Sequence, residues 1–518
     1  MGKTLTRAAI TATMLAAAGL SMLAGQAAAQ APTKTLKIAE LLPLGVIDPY
    51  FGSYPQTQFM SDMIYDTLVA YDPETRTEVP LLAASWEEQS DAITFHLRQD
   101  VIWHDGQKFT AADVAYTLNW LVDPNSTFSN KFQWAWIKDA VQLDDHTVKV
   151  ETKGERPTDL MQLALAPIYP EHARKTYANV MDFGRHPVGT GPYKVVEYDV
   201  PGNHLILARN ADYKWGGKIK PVTNVERVDM RTVPEQGAQV AGLMVGEFDL
   251  FRDAPTDQAE ALAQDPRFAI DVNPSIGTTY MWFDATGRSG NEALKNEKVR
   301  QALAMSVDRK QLTQIMAGTK AMPIPESMCW PGKVQGCAYT LKAPGYDPAA
   351  AKKLLAEAGY PNGFEVRITS YVGRLTQLGQ AVAAFYSAIG VTATVEPLTV
   401  GSYTAKAATG KIQMTVAGNS LTGMPDIRQT VSFFLDINDY TGDPALLKLG
   451  HDADEEMDSK KRLELASQFF DRMNQHNYIS PLTAMPQFFT HTSAVEMKTN
   501  SSNSYGAAIS DIRWKTGE

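Results

Sequence analysis

Cysteine is nearly missing from this chain of 518 residues, which has only Cys329 and Cys337. Two lone thiols with no histidine beside them make a poor metal site. In an oxidising compartment they are expected to close one short surface loop. Positive charge is also scarce: 48 Lys and Arg stand against 58 Asp and Glu, a net −10, which disfavours nucleic acid as a partner. The 9 histidines are scattered singly, so no metal cage is expected. There is no H-E-x-x-H, G-x-S-x-G, C-x-x-C or Walker loop, which lowers the expectation of an enzyme. Beyond the first residues, no stretch approaches the roughly 18 apolar residues that a membrane span requires.

The one long apolar run comes first. Lys3 and Arg7 precede Ala8 to Ala24, and Ala27-Ala28-Ala29 stand before Gln30. These are the charged, apolar and small-residue regions of a secretory signal peptide, expected to be cleaved after Ala29. With no cysteine near the cut, a soluble exported protein is expected rather than a lipid-anchored one. The remaining chain is too long for one core and long enough for two or three.

The stretch Pro187 to Pro221, PVGTGPYKVVEYDVPGNHLILARNADYKWGGKIKP, organises the rest. Val188 to Tyr193 is a tight glycine-containing loop. Tyr193 to Tyr198 and His204 to Arg209 read as two strands joined at Pro201-Gly202. The G-x-G spacing invites a phosphate-loop reading, but no third glycine and no helix follow, so a structural turn is expected. His104 beside Asp105 invites a catalytic or metal reading in the same way. The pair sits at an Asp-Gly hairpin turn, which needs no chemistry.

Elsewhere the pattern alternates strand and helix. Thr35 to Ala39 is a first strand, Gln58 to Val69 a helix, and Ile93 to Arg98 a strand. Thr110 caps a following helix with Asp113 three positions on. Val141 to Val150 reads as a hairpin turning at Asp144-Asp145, and Pro167 to Tyr177 as a connecting helix. Val225 to Arg231, the helix Glu235 to Val245 and the strand Gly246 to Leu250 form a βαβ unit, implying a largely parallel sheet. Thr278 to Asp284 is an aromatic-rich strand, and Asn296 to Gln314 one amphipathic helix. Asp347 caps a helix whose first turn holds Pro348 and whose end is Gly359. Phe364 to Thr369, Gln377 to Ile389 and Val391 to Glu396 form another βαβ unit, and Met414 to Gly418 a further strand. Ser459 to Asn474 is amphipathic, with Leu463, Ala466, Phe470 and Met473 inward.

Four segments carry a resemblance. They are PVGTGPYKVVEY with LARNADYKWGGKIKPV, AASW through FHLRQDVIWHDGQKFTAADVAYTLNW, VRQALAMSVDRKQL from Val299 to Leu312, and YDPAAAKKLLAEAGY from Tyr346 to Tyr360. Spread over most of the chain, they resemble the periplasmic dipeptide- and oligopeptide-binding proteins of ABC importers, extracellular solute-binding protein family 5. The resemblance implies an α/β, two-lobe periplasmic-binding-protein fold of the large type, with an extra small sub-lobe and a hinge. Lobe I is expected over 30–283, with the sub-lobe at about 71–187, lobe II over 284–483, and a return to lobe I over 484–518. It further implies a monomeric, non-enzymatic periplasmic protein without a cofactor, which captures a peptide or similar-sized solute between its lobes. That form would then dock on an inner-membrane ABC permease. Other expectations are the same fold binding an oligosaccharide, opine or chelated metal, and a secreted hydrolase on two lobes.

In relatives that take dipeptides, an aspartate after a lobe-two strand pairs with the peptide amino terminus. Here Ala417 to Asp426 reads AGNSLTGMPD, without the Trp-x-x-Asp pattern, and Thr422 or Leu421 falls where the acid is expected. The candidate ligand contacts are therefore Tyr280, Trp282, Arg374, Asn419 and Asp426. Tyr280 and Trp282 have a core role as their alternative, and Arg374 that of a solvated charge. Trp134 and Trp136 either line a pocket or pack the sub-lobe.

Overall fold

The computed structural model describes residues 34–51, 55–128, 131–177, 179–273, 276–318, 321–371, 373–419, 424–499 and 508–515. The expected signal peptide, Met1 to Ala29, lies outside them, as do Leu421 and Thr422. Strand β1 (Thr35–Glu40) starts the first large sheet. A hairpin follows, β2 (Val69–Asp72) with β3 (Thr77–Pro80). Next come β4 (Ala83–Gln89), β5 (Ala92–Leu97), β6 (Ile137–Asp144) and β7 (Thr147–Thr152), a separate four-stranded sheet ordered β4-β5-β7-β6. The chain then returns through β8 (Tyr193–Asp199), β9 (His204–Arg209), β10 (Arg227–Thr232), β11 (Leu250–Arg252) and β12 (Phe268–Asn273). The second large sheet holds β13 (Thr278–Phe283), β14 (Glu365–Tyr371), β15 (Thr392–Leu398), β16 (Met414–Asn419) and β17 (Ile479–Ala484). Finally β18 (Gln487–Thr492) re-enters the first sheet, whose order is β12-β18-β11-β1-β10-β9-β8.

Right-handed crossover logic explains the middle of each sheet. β1 lies between β10 and β11, parallel to both, with helix Gln236–Val245 connecting the outer pair. In the second sheet β14 lies parallel to β15 and β16, and helix Arg374–Ala388 makes the crossover from β14 to β15. The chain passes between the sheets twice, from Asn273 to Thr278 and from Ala484 to Gln487. Asn273 pairs with Gln487 on one side, and Thr278 with Ala484 on the other.

Several expectations need correcting. β13, assigned by the sequence reading to the end of lobe I, pairs with β16 and β17 in the second sheet, so that sheet begins before residue 284. The single helix over Asn296 to Gln314 is two, Glu297–Met305 and Arg309–Ala317. The Asp308 side chain caps the second, accepting from the backbone N–H groups of Lys310 and Gln311, and so starts a new helix where periodicity alone runs on. The connecting helix of Pro167 to Tyr177 shrinks to Glu171–Arg174, and the strand of Gly246 to Leu250 shifts to Leu250–Arg252. Leu463, expected inward, is 45% exposed, and Phe469 takes its place in the core. The cystine Cys329–Cys337, Cα atoms 5.7 Å apart, closes the expected short loop, whose Pro331 to Lys333 are exposed, while the two half-cystines themselves are buried against the second-lobe core.

The Gly189–Gly191 loop is held by packing. A Cβ on Gly189 would stand 1.8 Å from the Ile64 carbonyl oxygen, and one on Gly191 2.6 Å from that of Met63. Glycine is needed there for close approach of two backbones. His104 clamps the loop: Nδ1 accepts from the Gly189 N–H at 3.3 Å and Nε2 donates to the Gly191 carbonyl at 2.9 Å. Thr190 donates to Asp66 Oδ2 at 3.0 Å, and Trp215 Nε1 and Lys220 Nζ reach the same buried carboxylate at 2.8 and 2.9 Å. The Gly189 and Gly191 amides are thus spent inside the protein: Gly191 N–H bonds Ile64 O at 2.8 Å.

Candidate functional site at the carboxyl edges of the two sheets

The carboxyl ends of β1, β10, β11 and β12 lie on one edge of the first sheet, and those of β14, β15 and β16 on one edge of the second. Both chain crossings leave from these edges, so the edges face each other across the hinge. In open α/β sheets this is where loops gather and ligands bind, because backbone groups and helix starts converge there.

Two residues bridge the edges. Asp253 follows β11 at φ 58°, a left-handed conformation, and Arg374 is the first residue of the helix that follows β14. Arg374 Nη2 donates to Asp253 Oδ1 at 2.6 Å, and its Nη1 reaches the Met316 carbonyl at 3.4 Å. The guanidinium carbon lies 5.5 Å from the ring centroid of Phe488, on β18. Side-chain exposures of 25% and 41% leave this pair partly in water, which limits it to about 1 kcal/mol. On the first-sheet edge Arg252 Nη2 spans both oxygens of Glu40 at 2.9 Å. Asn419 ends β16 opposite Thr278, so it shares the second-sheet edge with Arg374.

The other candidates lie elsewhere. Tyr280 and Trp282 are core residues: Tyr280 meets Phe434 edge-on at 5.0 Å, and Trp282 meets Phe434 at 5.4 Å and Tyr440 at 4.9 Å. Burial raises the Tyr280 hydroxyl well above the usual phenol range. Asp426 corrects the expectation of a free carboxylate. Fully buried, it caps helix Ile427–Val431 and accepts from Arg462 Nη1 and Nη2 at 2.9 and 2.7 Å, so both oxygens are engaged by the protein itself. Trp134 and Trp136 belong to the sub-lobe core, and Trp136 also faces a cavity.

Sequence reasoning missed Asp253 and Phe488. A non-glycine residue at positive φ leaves no compositional trace, and Phe488 reads as an ordinary strand residue. It also missed the contacts of the sub-lobe with the second lobe, Arg156 Nη2 to Glu455 Oε1 at 3.5 Å and Tyr71 with Gln335. Only the folded chain brings these positions together.

Two α/β lobes joined by two short crossings, with charged side chains meeting between their carboxyl edges, define a two-lobed solute-binding protein. Residues 77–440 match the family described as bacterial extracellular solute-binding proteins, family 5 Middle, and the chain belongs to it. It is 28% identical over 334 residues to the glutathione-binding protein GsiB of Pectobacterium atrosepticum, covering 62% of this chain and 61% of that protein. The chain thus spans about three fifths of that relative's length. It is 29% identical over 398 residues to heme-binding protein A of Haemophilus influenzae, covering 70% and 69%. Among solved structures, a dipeptide-binding protein of Pseudoalteromonas in complex with Met-Leu superposes with a TM-score of 0.81 at 21% identity, over 93% of this chain and all of that one. The binding protein AgaA in complex with agropinic acid, from A. tumefaciens, gives 0.77 at 23%, over 93% and 99%. At these identities the structural likeness speaks for the fold. No helix among the described residues is long and apolar enough to cross a membrane.

Proposed function

We propose that this protein is the solute-capturing component of an ABC importer, exported by removal of Met1 to Ala29 and working as a periplasmic monomer. It encloses a peptide or a polar solute of similar size between its lobes and presents the closed form to an inner-membrane permease, with no bond made or broken. The observation that carries this reading is Arg374 of the second lobe bound to Asp253 of the first at the edges where both crossings lie. A solute that touches both edges stabilises the closed arrangement by its differential affinity for it. A micromolar constant corresponds to about −8 kcal/mol, within reach of a few buried polar contacts.

A second reading, an acidic solute such as an opine, is favoured by one observation. Asp426 is fully buried and locked to Arg462 and cannot receive a peptide amino terminus, whereas Arg374, though paired with Asp253, stays 25% exposed at the cleft, where an acidic solute can compete for it. Mass spectrometry of solute carried through purification, followed by calorimetry with dipeptides, tripeptides and opines, separates the two. Arg374→Ala is expected to weaken the binding of either class about tenfold or more, beyond the small change in stability. Recovery of a chemically altered solute would sink the binding reading in favour of a hydrolase.

A further inference from the structure

The sub-lobe is fastened to the first lobe by its core. Tyr50, Trp120 and Val188 pack against the buried clusters of both, and Tyr213 and Trp215 enter the sub-lobe core while bonding Asp66 at 3.3 and 2.8 Å. The sub-lobe meets the second lobe differently, across a polar seam. Arg156 reaches Glu455 at 3.5 Å, and Tyr71 bonds the Gln335 side chain. When the lobes part at their two crossings, the sub-lobe travels with the first lobe and this seam opens.

Carboxylates outnumber guanidiniums on both sides of the seam. The sub-lobe brings Glu78 from β3, Glu88 from β4 and Asp159, whose Oδ2 accepts from the Arg156 N–H at 3.2 Å. Arg76, at the turn of the β2–β3 hairpin, acts on Tyr71. The second lobe brings Asp426, Asp436, Asp454 and Glu455 with two guanidiniums that are spent within that lobe. Arg428 lies on Asp454 at 2.6 Å and Arg462 on Asp426 at 2.7 Å, while His451 holds Asp436 at 2.7 Å. Like charges therefore oppose each other across the seam, Asp159 against Asp454 and Glu78 against Asp426, with Glu88 adding to both from the sub-lobe side. Burial, and then this repulsion, pushes the Asp159 carboxyl up to about 7 and holds those of Glu78 and Asp454 above the ordinary carboxylate range.

On the reading that the lobes close around a solute, we propose that closure takes up protons at this seam, first at Asp159 and then at Glu78, so that solute is held more tightly in mild acid. With the seam open, water reaches these carboxyls and they ionise near the ordinary value of about 4. With it closed, like charges are pressed together in a place poor in water unless one of them is protonated. Protons are then bound on closing between about pH 7 and pH 4, and the closed form gains as pH falls through that window. Above about pH 7.5 both forms are ionised and pH ceases to matter. One proton per closure sets a ceiling of about tenfold in the closed-to-open ratio for each pH unit.

The test reads closure in the whole, solute-free protein as the distance between two spin labels. One is placed on Leu143→Cys, 56% exposed in the sub-lobe, and the other on Lys352→Cys, exposed on helix Pro348–Glu357 of the second lobe. The native thiols are joined in a cystine and take no label. From about pH 7 to about pH 5.5 the closed-to-open ratio is expected to rise about fivefold or more, and above about pH 7.5 to stay level. Asp159→Asn keeps an acceptor for the Arg156 N–H and removes the charge. It should raise the ratio at about pH 7.5 by about threefold or more and lose about half or more of the pH response, whereas a merely structural role for Asp159 would give no gain of the closed form. Glu78→Gln should act in the same direction to a smaller degree, and carries the test if Asp159→Asn fails to fold. His451→Gln should leave the response in place. Arg374→Ala breaks the pair between the carboxyl edges and reports whether the hinge moves at all, lowering the ratio at every pH. A distance that answers to Arg374→Ala but not to pH overturns the proposal and leaves the closure reading standing, and a distance that answers to neither removes both. The proposal is equally overturned if Asp159→Asn and Glu78→Gln keep the full pH response, or if His451→Gln abolishes it.

Discussion

Asp426→Asn isolates the energetic role of a carboxylate that sequence alone assigns to ligand. Arg462 is 6% exposed and donates to both Asp426 oxygens, at 2.9 and 2.7 Å, with its Nε on the Ala453 carbonyl. Asparagine caps a helix about as well as aspartate, so the acceptor for the Arg428 N–H is retained and only the charge is removed. What remains is a buried guanidinium without its counter-charge, a loss of about 3–5 kcal/mol. The Asp454 carboxylate nearby still attracts Arg462, which places the expected loss at the lower end, about 3 kcal/mol. Arg462→Met in the same chain removes the orphaned charge and should recover most of that loss. Because a two-lobed chain need not unfold in one step, hydrogen exchange of second-lobe amides is the better readout, with urea unfolding as its complement. A loss below about 1 kcal/mol for Asp426→Asn, or a double variant no better than the single one, would refute the reasoning. So would weaker binding of cationic peptides per folded molecule, since that would return Asp426 to the ligand site.

Gly189→Ala is expected to cost about 3 kcal/mol or more, since its Cβ would stand 1.8 Å from the Ile64 carbonyl oxygen and the His104 and Gly191 bonds would open together. Gly237→Ala meets nothing within 4 Å in a helix and should stabilise by about 0.5–1 kcal/mol, so urea unfolding of the two variants should move in opposite directions. His104 is held neutral by burial, its pKa lowered to about 4 from 6.5. The unfolded chain takes up that proton first, so His104's share of stability is present above about pH 6.5 and is lost as pH falls toward 4, about 3 kcal/mol at most. In His104→Asn the slope of stability against pH over that window should flatten, and an unchanged slope would remove His104 as its source. Replacing both Cys329 and Cys337 by alanine should cost about 2–3 kcal/mol by thermal or urea unfolding without altering solute affinity.

Much of the architecture was legible because it rests on local periodicity. The βαβ units, the Asp347 cap with Pro348 in the first turn, and the Thr110–Asp113 capping pair are written within a few residues of one another. The failures also have local causes. Asp308 interrupts a helical pattern that stays apolar on one face, and Leu463 keeps the helical spacing yet lies at the margin of the buried stripe. Tyr280 and Trp282 alternate on a strand like any core pair, so spacing cannot separate core from pocket. Arg374 reaches the cleft, but its partner Asp253 is 121 residues away.

The position of β18 bears on how the protein can be assembled in time. This late strand fills the place between β11 and β12, so the first sheet stays split, with two unpaired edges, until the chain has been made as far as Thr492. Earlier segments of that lobe must wait for a partner more than two hundred residues downstream, a separation that slows folding and prolongs exposure of those edges. Deleting β18 is therefore expected to leave the second sheet able to form while the first lobe aggregates through β11 and β12.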